Sequence, residues 1–123
     1  MKFMMLMIPA VYHGNKKLEN FAPKLAELEK MGKFNEEMGK VFKITDLNGL
    51  RPLTDGARLY FNKGKATVTD GPFVETKEVL GGYWMIEGAT KEELLKWAKR
   101  CPALDGDTIE IRQIFEFPEE PTR

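Results

Sequence analysis

Residues 2–8 read Lys-Phe-Met-Met-Leu-Met-Ile, a run that is apolar on both sides of a strand. Successive strand side chains point to opposite faces. Met4, Leu6 and Ile8 therefore share one face, and Phe3, Met5 and Met7 the other. A strand in a sheet wetted on one side alternates apolar with polar residues. This strand needs cover on both faces. Helices of the same chain supply one cover. A chain of 123 residues has few elements left for the other, so a second subunit is the candidate. The same run has the outline of a short signal peptide. Pro9 ends it after six apolar residues, short of the roughly 7–15 of a signal core. No apolar stretch approaches the ~20 residues of a spanning helix. A cytoplasmic location without membrane contact is the expectation.

The rest of the chain alternates strand and helix patterns. Residues 9–20 form a loop. Asn20 is an N-cap candidate, with Pro23 in the first turn. Phe21, Leu25, Leu28, Met31, Phe34 and Met38 then recur at spacings of three or four, which predicts an amphipathic helix ending near Gly39. Strand character returns at 41–46, and 47–56 is rich in turn residues. Residues 57–62 and 65–69 form a hairpin pattern around Asn62-Lys63-Gly64, suited to a three-residue loop closed by a glycine bulge. Residues 79–87 are a further strand. Thr90 and Glu93 make a capping box for a second helix, which stops before Pro102. Residues 108–117 alternate, with Ile109, Ile111, Phe115 and Phe117 on one side.

This order, β-α-β, hairpin, β-α-β, predicts an α+β domain over 1–117 with a loose tail at 118–123. The architecture is ferredoxin-like: a βαββαβ-type antiparallel sheet, both helices on one face, plus an extra hairpin. The other face is expected to close against a second copy in a homodimer. Lys+Arg and Asp+Glu number 19 each, so charge gives no reason to expect a nucleic-acid partner. One His and one Cys cannot build a typical transition-metal site or an intrachain disulfide. The chain lacks Walker and Rossmann glycine motifs. The expectation is no metal and no cofactor.

The stretch Val68-Thr69-Asp70-Gly71-Pro72-Phe73-Val74-Glu75-Thr76-Lys77-Glu78, followed by Leu80-Gly81-Gly82-Tyr83, closely resembles the signature of DGPF proteins, a branch of the YCII-related family. The opening Met1 to Met4, the turn Gly49-Leu50-Arg51-Pro52, the helix around Trp97 and the strand Ile109 to Arg112 extend the resemblance over nearly the whole chain. It implies the dimeric α/β-barrel form of the fold. It names no reaction. Some distant YCII-like relatives are cofactor-free lyases, and DGPF proteins are often encoded beside sigma factors. Another branch carries a first-helix His paired with an acidic residue as a proposed dyad. Here the first helix has no His, so that chemistry does not carry over.

Several residues are candidates for chemistry. Asp70 is either a turn residue bonding the backbone ahead of it or a carboxylate acting as general acid or base. His13, the one histidine, is either an exposed loop residue or a proton shuttle near neutral pH. Glu75 and Lys77 are either solvated charges or part of a pairing that offers a cation to an anionic ligand. Arg112 is a second candidate cation. Phe73, Tyr83 and Trp84 are candidate cavity walls, with Tyr83 and Trp84 on opposite faces of one strand. Gly81-Gly82 inside that strand predicts a bulge or a close backbone approach. Cys101 reads as an inert thiol. Three functions compete. One is cofactor-free acid–base chemistry, of lyase or isomerase type, on a small aromatic or anionic molecule held between sheet and helices. Another is non-catalytic small-ligand binding or regulation by a dimer, linked to a sigma-factor system. The third is a purely structural dimer module with the DGPF loop as a fold lock.

Overall fold

A computed structural model of the chain describes residues 1–10, 24–70 and 79–117. Strand β1 (Lys2–Ile8) lies at the centre. Helix α1 (Leu25–Met38) leads from it to β2 (Lys43–Gly49). A single 3-10 turn at Leu53–Asp55 precedes the hairpin β3 (Ala57–Asn62) and β4 (Lys65–Asp70). Strand β5 (Gly82–Glu87), helix α2 (Lys91–Ala98) and β6 (Thr108–Gln113) complete the order. The main sheet runs β2-β5-β1-β6 with every neighbouring pair antiparallel. Each helix thus joins two strands that have another strand between them. The protein is an α+β fold, as the sequence predicts.

The central strand divides as its sequence requires. Phe3, Met5 and Met7 are buried in one core with Trp84 and Ile86 of β5, Phe34 and Met38 of α1, and Leu94 of α2. Both helices therefore cover the same face. Met5, Met38, Ile86 and Leu94 are fully buried, each worth at most about 1.5–3 kcal/mol of transfer free energy. Across the sheet, Met4 pairs with Met85 and Leu6 with Tyr83, and these four are only half-buried. Polar pairs frame them: Lys2 and Lys43 on Glu87 at 3.3 and 3.7 Å, and Arg112 on Glu110 at 3.2 Å. Such exposed pairs contribute little stability.

Several boundaries differ from the sequence reading. Helix α1 is 14 residues and starts at Leu25, with the Lys24 amide donating to the Glu27 carboxylate at 3.3 Å. Asn20 and Pro23 lie outside the described residues. Strand β2 runs on to Gly49, because Leu47, Asn48 and Gly49 keep their register with Trp84, Tyr83 and Gly82 after a bulge at Thr45. Strand β5 begins only at Gly82. The hairpin loop has two residues, not three. Asn62 pairs with Lys65, and Lys63 and Gly64 both have positive φ, 51° and 79°, the twist-matched turn that two-residue hairpins prefer. Strand β6 stops at Gln113. Phe115 and Phe117 are 85% and 82% exposed and stack on each other, 6.0 Å between ring centres. The thiol Cys101 is half-buried, and burial first, then the charge of Asp107, pushes it up to about 11.

Candidate functional site

A cleft of about 240 Å³ opens between α1 and the end of the main sheet. Five segments meet there: the exit of β1 (Met7, Pro9), one side of α1 (Glu27, Leu28, Met31, Asn35), the end of β2 (Leu47 to Gly49), the start of β5 (Gly81 to Trp84) and the α2–β6 connection (Pro102, Leu104, Asp107). The helical stripe explains the opening. Phe34 and Met38 reach the core, but Leu25 is 71% and Leu28 52% exposed. The stripe thus continues past the packed core, and Leu28 and Met31 form one wall of the cleft.

Backbone packing shapes the opposite wall. A Cβ built on Gly82 would lie 2.9 Å from the Asn48 carbonyl oxygen, so this position needs glycine for β2 to pair so closely. The Gly81 amide donates to the Met7 carbonyl at 2.7 Å, and its carbonyl accepts from the Leu50 amide at 2.9 Å. The close approach expected of the paired glycines is present. The floor is Trp84, buried beneath α1, whose indole Nε1–H donates to Asn35 Oδ1 at 2.7 Å.

The rest of the lining is pinned by its own hydrogen bonds. Asp107 accepts from the Ala10 amide through Oδ1 and from the Leu104 amide through Oδ2, each at 2.8 Å. One carboxylate thereby joins the exit of β1 to the loop before β6. Tyr83 directs its hydroxyl to Asp46 Oδ2 at 2.8 Å, while Asn48 Nδ2 donates to Asp46 Oδ1 and to the Tyr83 oxygen, both at 3.0 Å. Tyr83 and Asp46 reach one another because the bulge at Thr45 resets the facing of β2.

Among the residues singled out from sequence, Tyr83 and Trp84 line the cleft. Asp70 ends β4 with an exposed side chain, paired in register with Ala57, and is not among the lining residues. Arg112 is exposed on β6 and bonded to Glu110. His13, Phe73, Glu75 and Lys77 lie outside the described residues. Sequence reasoning passed over Asn35 and Asp107. A signal for Asn35 was present: it stands four residues after Met31, a polar residue on an apolar helix face. Among the described residues, no three His, Cys, Asp or Glu side chains converge on a possible metal position. No helix there is long and apolar enough to cross a membrane.

Comparison with known proteins adds a family and one relative. A model of the YCII-related domain matches residues 1–118. An uncharacterised protein of Rhizobium meliloti (strain 1021) is 40% identical over 57 residues, a stretch that makes up 46% of this chain and 46% of that protein. The match therefore spans about half the length of the curated relative.

Proposed function

The chain belongs to the YCII-related family, and on that premise we propose that it binds a small, largely apolar molecule in the cleft between α1 and the β2–β5 end of the sheet. The observation that carries this reading is an open cleft walled by Leu28, Met31, Leu47 and Trp84. Ligand sites are typically concave and mostly apolar, with a few placed polar groups. At about 240 Å³ the cleft falls below the ~300–1,000 Å³ of sites for drug-sized ligands. It suits a molecule of one or two rings. Titrating 15N-labelled protein with indane, a bicyclic hydrocarbon, should shift the amides of Met31, Leu47, Gly82 and Trp84 together. Leu28→Arg should weaken that response. Indane that leaves these amides unmoved contradicts the reading.

The enzymatic alternative is cofactor-free acid–base chemistry on such a molecule, with Asp70 or His13 moving the proton. Binding without turnover is the better supported of the two, because Asp70 stands outside the cleft lining. A regulatory role linked to a sigma-factor system would use the same binding step. We further propose that the protein acts as a cytoplasmic homodimer of the dimeric α/β-barrel kind. Two observations support the dimer. Met4, Leu6 and Met85 remain half-buried on the sheet face without helices. The β3–β4 hairpin exposes Leu59, Phe61 and Val68, and a two-stranded hairpin alone is marginally stable in water.

A further inference from the structure

Among the described residues of the cleft, Asn35 holds unspent hydrogen-bonding capacity. An indole nitrogen is a donor only, so the Asn35 atom facing Trp84 Nε1 must be the carboxamide oxygen. The Nδ2 of Asn35 then carries two hydrogens on a wall of the cleft, without a partner among the described residues. The other side-chain donors among the described lining residues are engaged: Trp84 Nε1 on Asn35, Tyr83 OH on Asp46, and Asn48 Nδ2 on Asp46 and Tyr83. Among the described residues, the formal charges of the lining are both negative, on Glu27 and Asp107, and no Lys or Arg lines the cleft.

We infer that the cleft selects an uncharged aromatic molecule bearing a carbonyl-type oxygen, which accepts from Asn35 Nδ2, and that it rejects the corresponding carboxylate. This selection rests on the binding function proposed above and specifies its ligand class. The physical reasons are separate. A donor inside an apolar cleft rewards an acceptor because its own hydration is lost on ligand entry. Two carboxylates in the lining, with no Lys or Arg among its described residues, repel an anion at short range. Arg112 does not line the cleft, so anion recognition by that residue is not part of this site.

Three probes of nearly equal shape separate these effects: indane, 1-indanone and indane-1-carboxylate. The full chain is titrated with each at pH 7 and followed through the Trp84 indole N–H resonance. The ketone should bind about three- to tenfold more tightly than the hydrocarbon, the worth of one neutral hydrogen bond. The carboxylate should bind at least about tenfold more weakly than the ketone. Asn35→Asp keeps an acceptor for Trp84 Nε1 but removes the Nδ2 donors. It should abolish the ketone's advantage over the hydrocarbon. The ranking of the three probes on the unaltered chain stands even if that variant folds poorly. Equal binding of ketone and hydrocarbon, or tightest binding of the carboxylate, overturns the selection while leaving the binding function intact. Failure of both neutral probes to move the cleft resonances overturns the two together.

Discussion

Trp84 on β5 and Asn35 on α1 are joined by a 2.7 Å hydrogen bond across the floor of the cleft. This bond ties the orientation of the helix to the sheet beside the buried Phe34 and Met38, where the apolar stripe of α1 meets the core. Replacing Asn35 by Leu should leave the Trp84 N–H buried without an acceptor, at a cost of about 1–3 kcal/mol. Urea unfolding of Asn35→Leu measures it. Asn35→Asp, which retains an acceptor, should lose less.

Gly82 sets the distance between β2 and β5. Gly82→Ala forces its methyl against the Asn48 carbonyl oxygen, a backbone atom that cannot rotate aside. The variant should lose about 1–3 kcal/mol, as overpacked sites do. Hydrogen exchange should quicken at Leu47 to Leu50 before it does in β1. Unchanged stability would show that the strands can part at no cost.

The second helix depends on its N-terminal cap. Thr90 Oγ1 accepts from the Glu93 amide and Glu93 Oε1 accepts from the Thr90 amide, both at 3.1 Å. Thr90→Ala should destabilise the protein by about 1 kcal/mol. The Thr90 side-chain bond, then the Thr90 backbone bond and the charge of Lys96, hold the Glu93 carboxyl below its ordinary value. Its contribution is therefore complete above the ordinary glutamate range and lost as pH falls through the lowered folded value. In Thr90→Ala, an NMR titration should place Glu93 closer to its ordinary value.

The legibility of the fold follows from where the patterns are local. Two-sided β1, the Thr90–Glu93 box and the stop before Pro102 are all visible in short windows, and they fall where the sequence puts them. Phe115 and Phe117 continue the alternation of β6 on paper, yet the ladder with β1 ends at Gln113, opposite Phe3, with one further bond from the Ile114 amide to the Lys2 carbonyl at 2.9 Å. The two-residue hairpin loop is not legible at Lys63, because a Lys at positive φ is uncommon. The cleft was legible only in part. Trp84 and Tyr83 are conspicuous aromatics, whereas Asn35 and Asp107 acquire their roles through partners 49 and 97 residues away.

Cys101 should behave as a protected thiol. Burial raises it to about 11, whereas an unfolded cysteine titrates near about 8.5. The native state keeps its proton over the interval in which the unfolded state loses it, so this group's contribution to stability is whole below about pH 8.5 and declines as pH rises toward about 11. Alkylation by iodoacetamide at pH 8 should be slow in native protein and fast in urea. Equal rates would mean that the thiol is exposed.

The proposed dimer puts weight on the hairpin. Phe61 is 77% exposed, an exposure that a partner subunit would relieve. Phe61→Asp should shift the mass in light scattering at micromolar concentration from dimer toward monomer, with the far-ultraviolet spectrum preserved. A monomeric unaltered chain, or a variant that stays fully dimeric, would remove the hairpin from the interface.

The described residues offer a ligand an apolar surface besides the cleft, the sheet face bearing Met4, Leu6 and Met85. Intermolecular nuclear Overhauser contacts from 1-indanone to the protein distinguish the two in one experiment. The account predicts contacts to the Trp84 indole N–H, the Asn35 carboxamide hydrogens and the methyl groups of Leu28 and Leu47. Contacts confined to Met4, Leu6 and Met85 would contradict it.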